Sequence, residues 1–285
     1  MPQDAIDTVK DAPAALATPA SEVNYQKVAA DEFAERLGSR RREAGAPVRT
    51  IFVSDERVEK PPLARLMSGD TGAGGGRGGQ VRAKLYVSLL WVCAKKPYTV
   101  IPNRPARAWA ALLGLDDPEV KGVRRIQQAF RDLQERQLVD LEERVGFASV
   151  VTVLSERGDG TPFVPAPDAH NALKQAKANE ATLLEHRYFR VPSTLWTDGH
   201  IAKLSGPAFA MLLALLSEQR GTTDGVWFSP GRARERFGLS TSTRRQGLDD
   251  LSRLGLVDTK TRVVSESGAY IDWARRRNVH HVTGL

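Results

Sequence analysis

One cysteine, Cys93, stands in 285 residues. A lone thiol excludes an intrachain disulfide and any zinc site built on a cysteine cluster. Long apolar runs are also missing. The longest, Ala208–Leu216, falls short of the roughly 18–20 residues of a membrane helix, so no membrane partner is expected. The opening MPQDAIDTVKDAPAALATPA carries early acids and lacks the apolar stretch of a secretory signal, which makes the cytoplasm the expected compartment. The glycine-rich Ser68–Gln80 (SGDTGAGGGRGGQ) superficially looks like a phosphate loop, but the chain contains no Gly-Lys-Ser or Gly-Lys-Thr. His280-His281 lacks the His-apolar-His spacing of relaxase nucleases and has no carboxylate cluster beside it. Asp249 and Asp250 are adjacent on a helical pattern and would point about 100° apart, so they form no shared metal site. With no nucleophile set against a base, the expectation is a protein that is not an enzyme and takes no cofactor and no metal.

Basic charge is what the chain has in excess. The formal net charge is +7, and it is unevenly placed. Val226–Leu285 holds eleven Lys and Arg against six Asp and Glu, and Val81–Val145 holds twelve against eight. These two segments carry more than the whole surplus, which leaves the remainder slightly acidic. Concentrated positive charge fits a phosphate backbone, although basicity alone also suits RNA or an acidic membrane surface.

The chain divides by pattern. Residues 1–47 read as a tail, disordered to about residue 22 and then helical over Glu22–Arg42, with Val28, Phe33 and Leu37 near one face. Residues 48–80 hold a short strand, Val48–Val53, and the glycine-rich loop. Residues 81–155 form a first module. Its first helix, Val81–Lys95, is apolar all round its last turns and is expected to be buried. A strand at Tyr98–Ile101 and a helix at Pro105–Leu113 follow. The next helix is capped by Asp116 or Asp117, starts at Pro118 and runs to about Arg136. Strands Leu138–Glu142 and Ala148–Leu154 then turn at Gly146. Residues 156–187 are a linker, partly helical over Ala172–Glu185. Residues 188–285 form a second module: strand Tyr188–Val191, a turn at Pro192–Trp196, an apolar helix Ser205–Arg220 capped by Ser205, strand Val226–Ser229, helix Pro230–Phe237 closed by Gly238, a helix from Ser240 to Leu254 stopped by Gly255, and strands Leu256–Val264 and Arg275–Val282.

The two modules repeat one order of elements, and they also align residue by residue. Leu138-Val139-Asp140 recurs as Leu256-Val257-Asp258, and Ala129–Leu133 matches Gly247–Leu251 at the same offset of 118. Upstream, Leu113-Gly114-Leu115 corresponds to Phe237-Gly238-Leu239, with six extra residues in the turn of the first module. A helix, Gly-Leu-Ser, a helix with leucines three apart and then Gly-Leu-Val is the pattern of a winged helix. The fold class expected is therefore mainly α with small β-wings (α+β), as two tandem winged-helix domains.

A winged helix lays its third helix in the major groove and its wing along the phosphates. In the second module Leu248, Leu251 and Leu254 face the core, and Gly247 marks a close approach to a neighbouring helix. The opposite face offers Ser242, Arg245, Gln246 and Asp249, with Thr241 and Arg244 at its N-terminal edge. Arginine pairs with guanine and glutamine with adenine through two hydrogen bonds each. In the wing, Arg275, Arg276, Arg277 and Asn278 return beside Lys260 and Arg262. Three consecutive arginines repel one another without an anion nearby, so phosphate is their natural partner. The first module offers Lys121, Arg124, Arg125 and Gln128, diluted by Asp116, Asp117 and Glu119, so weaker DNA binding or protein contacts are expected there. Tyr86, Trp91, Trp109, Trp196, Trp227 and Phe228 are assigned to the core. A solvated polar face and a basic C-terminal tail remain the plain alternatives for these residues.

The segment YFRVPSTLW…LSGPAFAMLLALL…VWFSPGRARERFGLSTSTRRQGLDDLSRLGLV…RRRNVHHV resembles the winged-helix domains of bacterial plasmid and phage replication initiators. Val81–Leu285 as a whole is similar to actinobacterial helix-turn-helix proteins. The resemblance implies sequence-specific binding of double-stranded DNA at an origin, with one module for dimerisation and one for DNA, and host replication proteins as partners. Two alternatives stay open: a transcriptional regulator that meets RNA polymerase through the same surface, and a protein-interaction adaptor. The nucleoid-associated cytoplasm is the expected location.

Overall fold

Two helices, over residues 77–92 and 206–219, are buried along most of their length and form the centre of the fold. The computed structural model describes residues 24–68, 77–93, 95–100, 105–142, 144, 149–219, 225–263 and 276–285, with the side chains of 40–42, 77, 230 and 263 outside that description. The chain begins with α1 (Tyr25–Glu35), α2 (Ser39–Ala44), β1 (Ala46–Arg49), α3 (Thr50–Val53) and α4 (Pro62–Met67). The first half of the repeat follows as α5 (Arg77–Val92), β2 (Thr99–Val100), α6 (Ala106–Leu112), α7 (Lys121–Glu135), β3 (Val139–Glu142) and β4 (Val150–Val153). Between the halves lie α8 (Ala166–Gln175), α9 (Glu180–Glu185), β5 (Tyr188–Val191), α10 (Thr194–Thr197) and α11 (His200–Lys203). The second half is α12 (Gly206–Gln219), α13 (Pro230–Phe237), α14 (Thr241–Arg253), β6 (Val257–Val263) and β7 (Arg276–Val282). The fold is mixed α+β with small antiparallel sheets. No helix among the described residues is long and apolar enough to cross a membrane.

Both halves connect their strands in the same way. In the first, β4 lies between β2 and β3. In the second, β7 pairs with β6 on one side, and its His280 bridges Val226 on the other. The returning strand is thus central in each, after a helix, a short extended segment and two further helices.

The halves share one hydrophobic core. Trp91 of α5 stacks on Trp196 of α10 with centroids 4.6 Å apart and planes 3° from parallel. Trp196 Nε1 donates to Ser88 Oγ at 2.9 Å. Gln80 Nε2 and Lys84 Nζ of α5 both donate to the carbonyl of Leu204, at 3.2 and 2.6 Å, while Gln80 Oε1 accepts from Gly206 N. The segment before the repeat belongs to the same core. β1 pairs with β5 across Ala46↔Val191 to Arg49↔Tyr188, and Arg49 makes a buried ion pair with Glu156. Phe33 of α1 lies against Trp109 of α6 at 4.5 Å.

Several local expectations change. The strand expected at Val48–Val53 is β1 only to Arg49, and Thr50–Val53 turns helical with Ile51, Phe52 and Val53 all buried. The helix expected over Glu22–Arg42 is two helices broken near Gly38, and Val28 is exposed while Phe33 and Leu37 are buried. Residues 77–80 of the glycine-rich stretch are the first turn of α5, where Gly79 packs too close to the Met67 carbonyl for any Cβ. α7 starts at Lys121 rather than Pro118. Asp117 instead takes a positive φ of 48° and accepts from Val120 N through its side chain. The helix expected over Ala172–Glu185 is likewise split into α8 and α9. Val226–Ser229 is a single bridge rather than a strand. Trp227, expected in the core, is 37 % exposed, whereas Phe228 is buried. The expected tail to residue 22, most of the glycine-rich loop, the Gly146 turn and Ile101 lie outside the described residues.

Lys84 occupies a costly position. It is 1 % exposed, and burial followed by the nearby charge of Arg125 lowers its ammonium from 10.5 to about 7. The unfolded chain therefore holds this proton more tightly than the folded one. Stability should rise as pH increases from about 7 toward 10 and be flat in this respect below 7. Lys84→Met keeps the volume, and the Leu204 carbonyl keeps Gln80 as its donor. Urea midpoints at about pH 6.5 and 9.5 should show the variant more stable than the parent at the lower pH and without the rise. An unchanged rise in the variant would remove Lys84 as its source.

Candidate nucleic-acid interface

α14 is built to leave one side open. Ser240 caps it, its Oγ accepting from Thr243 N at 3.1 Å. Gly238 before it takes φ 63°, which closes α13 and sets the corner between the helices. The inner face is fixed on α12. Leu251 is fully buried, and a Cβ on Gly247 would stand 2.5 Å from the Pro207 carbonyl. Ser205 Oγ, which accepts from Ala208 N at the start of α12, donates to Asp250 Oδ2 at 2.6 Å and so ties the two helices together.

Thr241, Ser242, Arg245, Gln246 and Asp249 are exposed on the outer face. Arg245 approaches Asp249 only at 3.9 Å, with their side chains 84 % and 63 % exposed. An open pair of this kind is worth little and is readily exchanged for another partner. Arg244 differs from the other polar residues of this helix. It is half-buried, its Nε has no hydrogen-bond partner among the described residues, and its charge reaches inward to His280. Burial, then Arg244, then His281 push the His280 ring below its ordinary value. Arg244 therefore lies at the inner edge of the face, toward the sheet, rather than fully on its outer side.

The register of β6 and β7 sorts the wing residues, because partners in an antiparallel ladder share a face and faces alternate along each strand. Arg262↔Arg277 and Lys260↔Val279 lie on one face, and Val263↔Arg276 and Thr261↔Asn278 on the other. The arginine run is thus divided between two faces, and Arg275 lies outside the described residues. Asn278 Oδ1 accepts from the Thr261 hydroxyl at 3.1 Å, and Lys260 pairs with Asp258 at 3.2 Å. Arg277 lies 3.6 Å above the ring of Trp227. Two arginines directly opposite each other are unfavourable in a ladder, and the aromatic face holds one of them flat beside its neighbour.

In the first half, Lys121, Arg124 and Gln128 are exposed on α7, and Arg125 is half-buried. Gln128 is engaged, donating to Asp132 Oδ1 at 2.7 Å and accepting from Arg131 Nη2 at 3.0 Å. Asp132 in turn holds Arg82 at 2.7 Å. Sequence reasoning passed over Gln127 and Arg131, which are exposed beside Arg124 at helical spacing, and Arg232 and Arg234, which are exposed on α13. The alternating arginines of PGRARERF were the available signal for the last two. The third, Arg236, is held by Glu218 at 2.9 Å.

No group of three His, Cys, Asp or Glu able to hold a metal occurs among the described residues. Comparison with protein-family models, curated proteins and solved structures gave no match. Exposed cation–π pairs are worth about 0.5–1 kcal/mol. A double-mutant cycle on Trp227→Ala and Arg277→Ala, read by denaturant unfolding, should return a coupling of about that size. Additive effects would show that the stacking does not hold Arg277.

Proposed function

We propose that this chain is a non-enzymatic, sequence-specific double-stranded DNA-binding protein made of two winged-helix domains, with α7 and α14 as third helices and β3–β4 and β6–β7 as wings. The shared order of elements and the central position of the returning strand in both halves support that architecture. One observation carries the function. α14 keeps its apolar side on α12 and leaves Thr241, Ser242, Arg245 and Gln246 open, next to a hairpin bearing Lys260, Arg262, Arg276 and Arg277. Side chains able to read base edges and side chains able to neutralise phosphates thus lie on neighbouring elements. The positive end of the helix dipole adds a favourable end for phosphate.

The role proposed is that of a replication initiator-like protein of a plasmid or mobile element, working in the nucleoid with host replication proteins and as a homodimer. Regulation of transcription through RNA polymerase would use the same surface. Selection of bound duplexes from a random pool separates the two. Repeated sites beside the gene, together with replication of a vector that depends on it, mark an initiator, and one palindrome over its own promoter marks a regulator.

Arg245→Ala should change the preferred base at one position, at a cost of about 1–3 kcal/mol there. Arg276→Ala with Arg277→Ala should weaken every duplex alike and lower the slope of log affinity against log salt by about 2. Equal effects of both changes on all sequences would contradict the division into reader and clamp. Failure to bind any duplex at low salt would leave the protein-adaptor reading.

A further inference from the structure

Arg244 stands on the inner line of α14. It precedes Gly247 by three residues and Leu251 by seven, so helical spacing sets all three on one side, and Gly247 and Leu251 are buried there. The arginine at the head of this line is half-buried and its Nε has no hydrogen-bond partner. No carboxylate pairs with it among the described residues. A partly desolvated guanidinium calls for an anion, and its planar fork matches phosphate oxygens.

The group that Arg244 faces is His280. This histidine is buried in β7, where it is paired with Thr259 of β6 on one side and bridged to Val226 on the other. Its Nδ1 lies 3.0 Å from Thr259 Oγ1. Ladder partners share a face and alternate residues follow along a strand, so Val257, Val282, Asn278 and Arg276 lie on the His280 face as well. Val226 and Val257 are buried, whereas Asn278 and Arg276 are exposed. That face therefore starts in the core and runs out to solvent at Arg276. The charges that reach the His280 ring are positive. Arg244 acts from α14 and His281 from the same strand. β6 offers the Thr259 hydroxyl, with Asp258 and Lys260 on the opposite face. On α12, which packs on β7, Glu218 is engaged by Arg236. Burial, then Arg244, then His281 make the charged ring unfavourable.

We propose that Arg244 and His280 form a proton-linked phosphate site, in which an oxyanion paired with Arg244 offsets the charge facing His280, and the ring then takes up a proton from solvent and adds its own charge to the hold on the anion. Resting on the DNA-binding reading above, the occupant is a backbone phosphate of the duplex beside α14, and Asn278 and Arg276 continue the track along the same face. The complex binds one more proton than its separated parts, so duplex is held more tightly in mild acid than above neutrality. The link is independent of base identity, since Arg245 and Gln246 lie on the other side of the helix.

The test uses the full chain. Histidine ring signals are followed by NMR from about pH 5 to 8, the range in which histidine titrates, with and without a selected duplex. The His280 signal is identified by its loss in His280→Asn, or by through-bond assignment of the parent if that variant unfolds. Its midpoint should move up in the complex. In parallel, affinity for the duplex should rise by about threefold to tenfold as pH falls across this range. His280→Asn should lose most of that rise and keep the parent's affinity at the alkaline end. Arg244→Gln should weaken binding throughout and lose the rise as well, because the coupling is reciprocal. An unmoved His280 midpoint in the complex, or the same rise in His280→Asn as in the parent, would overturn the proton link while DNA binding stands. If the parent binds no duplex at low salt, the DNA-binding reading and the duplex occupant fail together. Sodium pyrophosphate then replaces the duplex as probe, and a His280 midpoint that it leaves unmoved would overturn the phosphate site itself.

Discussion

The seam between α5 and the start of the second half of the repeat governs the rest of the structure. Trp91 and Trp196 stack face to face there, and Lys84, Gln80 and Ser88 of α5 all bond to groups between Trp196 and Gly206. An aromatic pair of this kind contributes about 0.5–1.5 kcal/mol beyond its buried area. Its larger effect is geometric. Each half packs its third helix on its own first helix, α7 on α5 and α14 on α12. Fixing α5 against α12 therefore fixes α7 against α14. Two segments from outside the repeat reinforce this. β1 crosses to pair with β5, and α1 seats Phe33 on Trp109. The two halves are consequently one packed body rather than two beads on a linker.

From that frame the candidate interface follows. Gly247 brings α14 against the Pro207 carbonyl and Asp250 is held by Ser205, and these two contacts set the rotation of α14 that turns Arg245 and Gln246 outward. The hairpin gains a similar constraint from Trp227, whose ring carries Arg277. The polar groups of α14 thus fall into separate tasks. Asp250 locks the helix to α12, and the outer face is left for a partner.

Short-range signals were legible in the sequence and long-range ones were not. Ser205 and Ser240 each cap the helix that follows, and Gly238 and Gly255 end theirs with positive φ. These choices are set by residues within one turn of each other. The leucine spacing gave the extent of α14 and the end of α7 closely, while the start of α7 moved from Pro118 to Lys121. The β1–β5 pairing was invisible, since its partners lie about 140 positions apart and neither strand carries a distinctive alternation. VRTIFV read as a single strand because β-branched residues favour one, but burial of Ile51, Phe52 and Val53 together suits a helical turn better than a two-faced strand. Trp227 was taken as core on its size, when what matters is that its ring faces an arginine on the neighbouring strand. Lys84 directly precedes the apolar last turns of its helix, and no sequence pattern announces that its amine ends on the carbonyl of Leu204, 120 positions away.

Hydroxyl-radical footprinting of the full chain, read by mass spectrometry with and without a selected duplex, tests the central claim most directly. The account predicts that duplex protects side chains of Thr241–Gln246 together with Trp227 and the β6–β7 hairpin, while α1 and α9 are unchanged. Protection confined to surfaces away from α14, with Arg245, Gln246 and Trp227 oxidised as in the free protein, would contradict it.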